Sequence, residues 1–188
     1  MSGISIEFEL DNADATARLQ ALLNRMDNRG PLFARIGDRL VKSASDNFRA
    51  QSGPDGTPWQ PLRPATIKVR NARGLTPIHI LRARGNLAGS INRQATDDEV
   101  RVGTPVEYAA IHQLGGAIQR AARSAKIYRL KDANGTVGRR FVKKKKANLE
   151  TEVEIPAYAI NIPARPFIGV SATDEIGIFE DAEDWLSL

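Results

Sequence analysis

Between Pro31 and Phe48 the apolar residues Phe33, Ile36, Leu40, Val41, Ala44 and Phe48 recur at intervals of mostly three or four. That spacing lines them along one side of an α-helix. Asn28-Arg29-Gly30 stops whatever comes before, and Pro31 suits a first helical turn, where its missing N–H costs nothing. A second helix is expected just upstream, capped at Asp11 or Asn12 and carrying Leu19, Leu22, Leu23 and Met26. Both stripes read as core. Ahead of them Ile4, Ile6, Phe8 and Leu10 alternate with Ser5, Glu7 and Glu9, the pattern of a half-buried strand.

Past Phe48 the chain is punctuated differently. Pro54-Asp55-Gly56 is a turn with a mechanism, because Pro presets φ, Asp bonds back to the backbone and Gly takes positive φ. Trp59 on that stiff loop is either a lid over the helices or an anchor offered to a partner. Pro64 can start a short helix through Lys68, with a polar loop from 70 to 76. Ile80 and Leu81 form an apolar anchor before a turn at Gly85, and one helical turn follows. A strand near 91–94 then meets 100–102 across Thr96-Asp97-Asp98. Residues 108–114 read as a short helix closed by Gly115-Gly116.

Asn134-Gly135, between 125–130 and 136–142, is a strong hairpin signal, and each arm spans roughly 20 Å at ~3.3 Å per residue. Residues 150–161 read as a further strand interrupted at Pro156, and Ile176, Ile178, Phe179, Trp185 and Leu186 as a terminal helix. The expected fold is α+β: N-terminal helices packed on an antiparallel β-sheet, with a projecting basic β-hairpin. With 188 residues, 41% of them hydrophobic, one domain over 1–188 is expected, with 119–149 as a hairpin extension within it.

Charge is distributed unevenly. Residues 119–149 hold eleven Lys and Arg against one acid, Asp132, for a local charge of +10. The net charge is +5, so the remainder is −5. Asp174, Glu175, Glu180, Asp181, Glu183 and Asp184 form a tail with no base among them. Such a pair suggests head-to-tail complementarity between subunits or an arm that faces nucleic acid; two solvated surfaces are the plainer alternative. Arg139, Arg140, Lys143, Lys144, Lys145 and Lys146 are the candidate contacts to phosphate or to an acidic partner. Such contact would be salt-sensitive and blind to sequence, and no motif for reading bases accompanies it.

No enzyme chemistry is expected. The chain has no cysteine, which removes disulfides and thiolate metal sites. His79 and His112 are 33 residues apart with no acid at a zinc-type spacing. Phosphate-loop, dinucleotide and nucleophile-elbow motifs are missing as well, so no cofactor or metal is expected. His112-Gln113 could act as a base only with a nucleophile supplied in space; a polar helix cap or a subunit contact suits it better. The start of the chain lacks a signal-peptide pattern, and no apolar run reaches the ~18 residues of a membrane span, so synthesis in the cytoplasm and no membrane contact are expected.

Five blocks in order carry a resemblance. They are Gly53-Pro54-Asp55-Gly56-Thr57-Pro58-Trp59-Gln60-Pro61-Leu62, then Ile80-Leu81 with Gly85-Asn86-Leu87-Ala88-Gly89-Ser90-Ile91, and Val102-Gly103-Thr104. Tyr108-Ala109-Ala110-Ile111-His112-Gln113-Leu114-Gly115-Gly116 and Ile162-Pro163-Ala164-Arg165-Pro166-Phe167-Ile168-Gly169 complete the set. Together they resemble the phage virion morphogenesis family, which includes tail completion proteins of P2-like and Mu-like tailed phages. The resemblance implies a structural virion protein of the neck or tail, made in the host cytoplasm and acting in tail completion and head–tail joining. It further implies a homo-oligomeric ring, a hexamer or a dodecamer, that meets tail terminator, tail tube or head–tail connector proteins. Non-specific contact with genomic double-stranded DNA is compatible with the basic arm. Trp59, Tyr108, His112, Gln113, Arg165 and Phe167 are then the expected subunit or partner interface.

Overall fold

The computed structural model describes residues 12–187, so the alternating segment 4–10 lies outside the described residues. The chain divides into two compact units, Met1–Leu114 with Ala164–Leu188, and Gly115–Pro163. The architecture is α+β, with helices at the N-terminus and antiparallel sheets.

The first unit contains α1 (Ala13–Asp27), α2 (Gly30–Ala50), α3 (Pro64–Ala72), β1 (Asn92–Ala95), β2 (Val100–Gly103), α4 (Ala109–Leu114) and α5 (Ala172–Leu186). Helix α2 is its spine, and β1, β2 and α5 all pack on it. The apolar stripe explains why: Ala44 and Phe48 are buried, and Phe33, Ile36, Leu40 and Val41 are half-buried. The β1–β2 hairpin runs antiparallel from Asn92↔Gly103 to Ala95↔Val100. Its turn docks at the start of α2, where Asp97 accepts the Gly30 N–H at 2.7 Å and Asp98 pairs with Arg29 at 2.7 Å. Carboxylates suit that end of a helix because the unsatisfied N–H groups there carry partial positive charge.

Helix α1 departs from expectation. None of its residues is buried, and Leu19, Leu23 and Met26 are exposed. Its spacing gave a helix correctly, but no described partner encloses the stripe. Asn12 occupies the N-cap position without a side-chain capping bond. The helix is tied at its other end, where the Arg25 guanidinium donates to the Trp185 and Ser187 carbonyls at 2.6 and 2.5 Å.

Helix α5 begins with a capping box. The Ser171 hydroxyl accepts the Asp174 N–H at 3.1 Å, and the Asp174 carboxylate accepts the Ser171 N–H at 3.0 Å. Asp174 also accepts from the Ser43 hydroxyl of α2 at 2.6 Å. Two turns further on, buried Asp181 receives Arg39 and Arg35, each at 2.7 Å, and Arg35 also reaches Asp184 at 3.0 Å. Gly177 lies between them, and a Cβ there would push the Arg39 guanidinium from its place against Asp181. Half of the acidic tail is therefore bound to groups on α2.

The second unit holds β3 (Gly116–Arg120), β4 (Arg123–Lys131), β5 (Val137–Phe141), β6 (Leu149–Ile155) and β7 (Tyr158–Ile162). β3 pairs with β7 and β4 with β6 in one continuous antiparallel register, from Gly116↔Ile162 through Arg120↔Tyr158 and Arg123↔Ile155 to Arg129↔Leu149. The ladder breaks around Pro156, which has no N–H to contribute. Fourteen residues from Gly116 to Arg129 make a ribbon about 40–45 Å long if straight. The expected hairpin about Asn134-Gly135 is present as β4–β5, with a register shift between Arg129 and Lys131. It is not free-standing: β6 pairs along β4, giving a three-stranded sheet in the order β5-β4-β6. Strand β3 was not expected, since Gly115-Gly116 read only as a helix terminator.

Candidate functional site: the joint between the two motif blocks

The block around Tyr108–Gly116 and the block around Arg165–Gly169 meet through α4 and the extended segment before α5. Gln113, on the last turn of α4, makes three hydrogen bonds to that segment. Its Oε1 accepts the Phe167 and Ile168 N–H groups at 2.9 and 3.1 Å, and its Nε2 donates to the Ile168 carbonyl at 2.7 Å. The side chain thus does for this segment what a neighbouring strand would do. The Arg165 N–H adds a bond to the His112 carbonyl at 2.7 Å.

Gripped in this way, Phe167 enters the core with 1% of its surface exposed. Phe48 of α2 lies 5.1 Å away, centroid to centroid, and meets Trp59 edge-on at 5.6 Å. Leu87 and Ala109 complete the buried cluster. Trp59 also donates its indole N–H to the Pro166 carbonyl at 2.8 Å, and the Asn47 amide donates to the Phe167 carbonyl at 3.3 Å. Buried Arg165 points to the Trp59 loop, donating to the Gln60 carbonyl at 2.9 Å and the Pro61 carbonyl at 3.4 Å. Burial and then the Arg70 charge push its guanidinium below its usual pKa. The loop itself is fixed by Asp55, which accepts the Thr57 N–H and hydroxyl at 3.0 and 2.7 Å.

These contacts place the expected interface residues. Trp59, Arg165 and Phe167 are buried in their own unit and half-buried Gln113 is bonded to its backbone, so Trp59 takes the lid reading. Neither Trp59 nor Phe167 offers an aromatic face to a partner. Tyr108 is about half exposed and meets His112 edge-on at 5.9 Å. His112 has its pKa lowered, first by burial and then by the Arg165 charge. Its Nδ1 is buried and, among the described residues, has no hydrogen-bond partner. No group of three or more metal-ligating side chains occurs among the described residues.

The second candidate set lies in the other unit. Lys131, Arg139, Arg140, Lys143, Lys144, Lys145 and Lys146 are all exposed, and among the described residues none is in a salt bridge. Lys143–Lys146 occupy the passage from β5 to β6, with a 3-10 turn at Lys144–Lys146. Lys126, by contrast, is neutralised by Glu150 at 2.6 Å, and Arg129 stacks over Phe141 at 5.1 Å from the ring centroid. Over the whole unit eleven bases meet four acids, so its charge is +7. The sequence window 119–149 ended just before the three acids of β6 and so overstated the charge.

What sequence reasoning passed over is Gln113 as a clamp and Ser171-Ala172-Thr173-Asp174 as a capping box. The second was legible, since Ser followed three residues later by an acid is a helix-start signature.

Side chains clamped onto backbone make this joint a stiff element of the fold. The chain belongs to the phage virion morphogenesis family, whose model matches residues 10–187. It is 28% identical over 184 residues to the Mu-like prophage FluMu G protein 2 of Haemophilus influenzae, covering 97% of both chains. It is 29% identical over 142 residues to the putative capsid assembly protein G of Escherichia phage Mu, covering 75% of this chain and 69% of that one. The Mu-like prophage FluMu G protein 1 of Haemophilus influenzae is 31% identical over 112 residues, 58% of this chain and 75% of that one. No solved structure matches. The role that follows is structural, in the assembly of a phage particle. No helix among the described residues is long and apolar enough to cross a membrane.

Proposed function

We propose that this protein completes the phage tail and joins it to the head, as a homo-oligomeric ring at the neck. The observation that carries the reading is the joint itself. Two motif blocks far apart in sequence are locked by Gln113, Arg165 and Trp59 into one stiff body. A ring subunit needs such a body, because a small error in its angle is repeated at every contact before the ring closes. Family membership and the name of the phage Mu relative, a putative capsid assembly protein, support a role in particle assembly. Tail terminator, tail tube and head–tail connector proteins are the partners to test.

Electron microscopy of particles made with and without the protein tests this. Without it, heads and tails should accumulate unjoined, and labelled protein should map to the neck. Normal joined, infectious particles in its absence would contradict the reading.

A second reading, non-specific binding of duplex DNA, is favoured by the nine exposed bases of 115–163 that, among the described residues, lack salt bridges. It predicts a steep loss of affinity with salt, at a slope of ~0.9 per phosphate contacted. Changing Lys143, Lys144, Lys145 and Lys146 to Ala should then flatten that slope by about 3 to 4. A slope that does not change removes those lysines from any DNA contact.

A further inference from the structure

The β4–β6 sheet has two unlike faces. On one lie Ala125, Ile127, Leu149, Val153 and Ile155 with Thr151 among them, the opposed pairs being Arg123↔Ile155, Ala125↔Val153, Ile127↔Thr151 and Arg129↔Leu149. Arg123 and Arg129 stand at the two ends of that row, and Phe141 is opposite Arg129 on β5. The other face carries Ser124, Lys126 and Tyr128 against Glu154, Glu152 and Glu150. Alternation of this kind belongs to a sheet with one face covered. Yet no residue of 115–163 is buried. The unit has the sequence of a half-covered sheet and no second layer of its own.

A complementary surface lies on α5. Asp174, Gly177 and Asp181 form its inward side, and the opposite side presents Ile176, Phe179 and Leu186. These are 62%, 71% and 44% exposed. Glu183 sits within that stripe and Glu175 and Glu180 flank it; among the described residues none of the three is in a salt bridge. The stripe is about 15 Å long at 1.5 Å per residue. Arg123 and Arg129, six residues apart on a strand, bracket about 20 Å. Helix α1 also exposes Leu19, Leu23 and Met26, but its charges are mixed, whereas α5 holds six acids and no base. Of the two helices, only α5 matches the arm in both polarity and sign.

We infer that the apolar face of the β4–β6 sheet seats on the outward face of α5 in a second copy of this chain. Isoleucine and valine of the arm meet Ile176, Phe179 and Leu186, and Arg123 and Arg129 meet the flanking glutamates. Both halves of the contact are on one chain, so it is heterologous and repeats from copy to copy until a ring closes. The inference rests on the ring proposed above and names the surface that builds it.

The chain lacks cysteine, so introduced thiols are unique. Two differently tagged chains are co-expressed, one carrying Val153→Cys and the other Phe179→Cys, and treated with a short bis-maleimide. A covalent heterodimer is expected for this pair and not for Val153→Cys with Leu19→Cys. Phe179→Glu, at an exposed site and with its fold checked by circular dichroism, should weaken association about tenfold or more. If the tags co-purify without the cross-link, or Phe179→Glu leaves association unchanged, this contact is overturned and the ring stands. A cross-link that forms only within a doubly substituted chain, or to another virion protein, also overturns it. If the tags never co-purify, the ring itself falls.

Discussion

Phe48 and Ile127 are both apolar residues in well-patterned elements, but their surroundings differ completely. Phe48 is 1% exposed, enclosed by Trp59, Leu87 and Phe167. Ile127 remains half-exposed on a single layer of strands. The first unit gains its order from burial, reinforced where side chains grip backbone: Gln113 on 167–168, Arg165 on 60–61, Trp59 on Pro166. The second gains its order from ladder hydrogen bonds, with no buried residue to add to them. A few strands without a covered face are marginal in water. One unit is therefore a finished body, and the other is a sheet whose apolar face has no cover of its own.

Substitutions should separate the two regimes. Phe48→Ala should cost about 3–5 kcal/mol in urea unfolding, because it empties the centre of the aromatic cluster. Gln113→Leu should cost about 2 kcal/mol, since it strands the Phe167 and Ile168 N–H groups. If it costs nothing, the clamp is only packing.

Asp181→Asn should cost about 1–2 kcal/mol, with a pH signature that the other variants lack. The Arg39 hydrogen bond is the chief cause holding the Asp181 carboxyl below its ordinary value of 3.8. A depressed carboxyl stabilises the fold fully above that value and loses its contribution as pH falls through the lower folded value. The gap between wild type and Asp181→Asn should thus be constant near neutrality and close below pH 3.8. A gap that persists there would assign the effect to shape rather than charge. Smallest of all, Ile127→Ala in the arm should change monomer stability by less than about 1 kcal/mol. A loss as large as that of Phe48→Ala would mean the arm has a core after all.

Much of the fold was legible in sequence, because its signals are local. The α2 stripe, the short helix closed at Gly115 (φ 73°), the Asn134-Gly135 hairpin and the break at Pro156 all appear where residue chemistry puts them. The misses depend on distant partners. Strand β3 pairs with β7 some forty residues away, and nothing in Gly116-Ala117-Ile118-Gln119-Arg120 alternates clearly enough to announce it. The α1 stripe has the right period, but period cannot say whether another element covers it. Trp59 was ambiguous for the same reason, and the Phe48 and Phe167 rings beside it decide the matter. In the site, His112 drew attention by its chemistry while Gln113 did the holding, through backbone contacts that no motif records.

Amide hydrogen exchange, compared between the dilute chain and the assembled oligomer, tests the contrast most directly. Amides around 44–48 and 165–168 should be strongly protected in both states. Those of 123–131 and 149–155 should exchange quickly in the dilute chain and become protected on assembly. Equal, core-like protection of the arm in the isolated monomer would contradict the account.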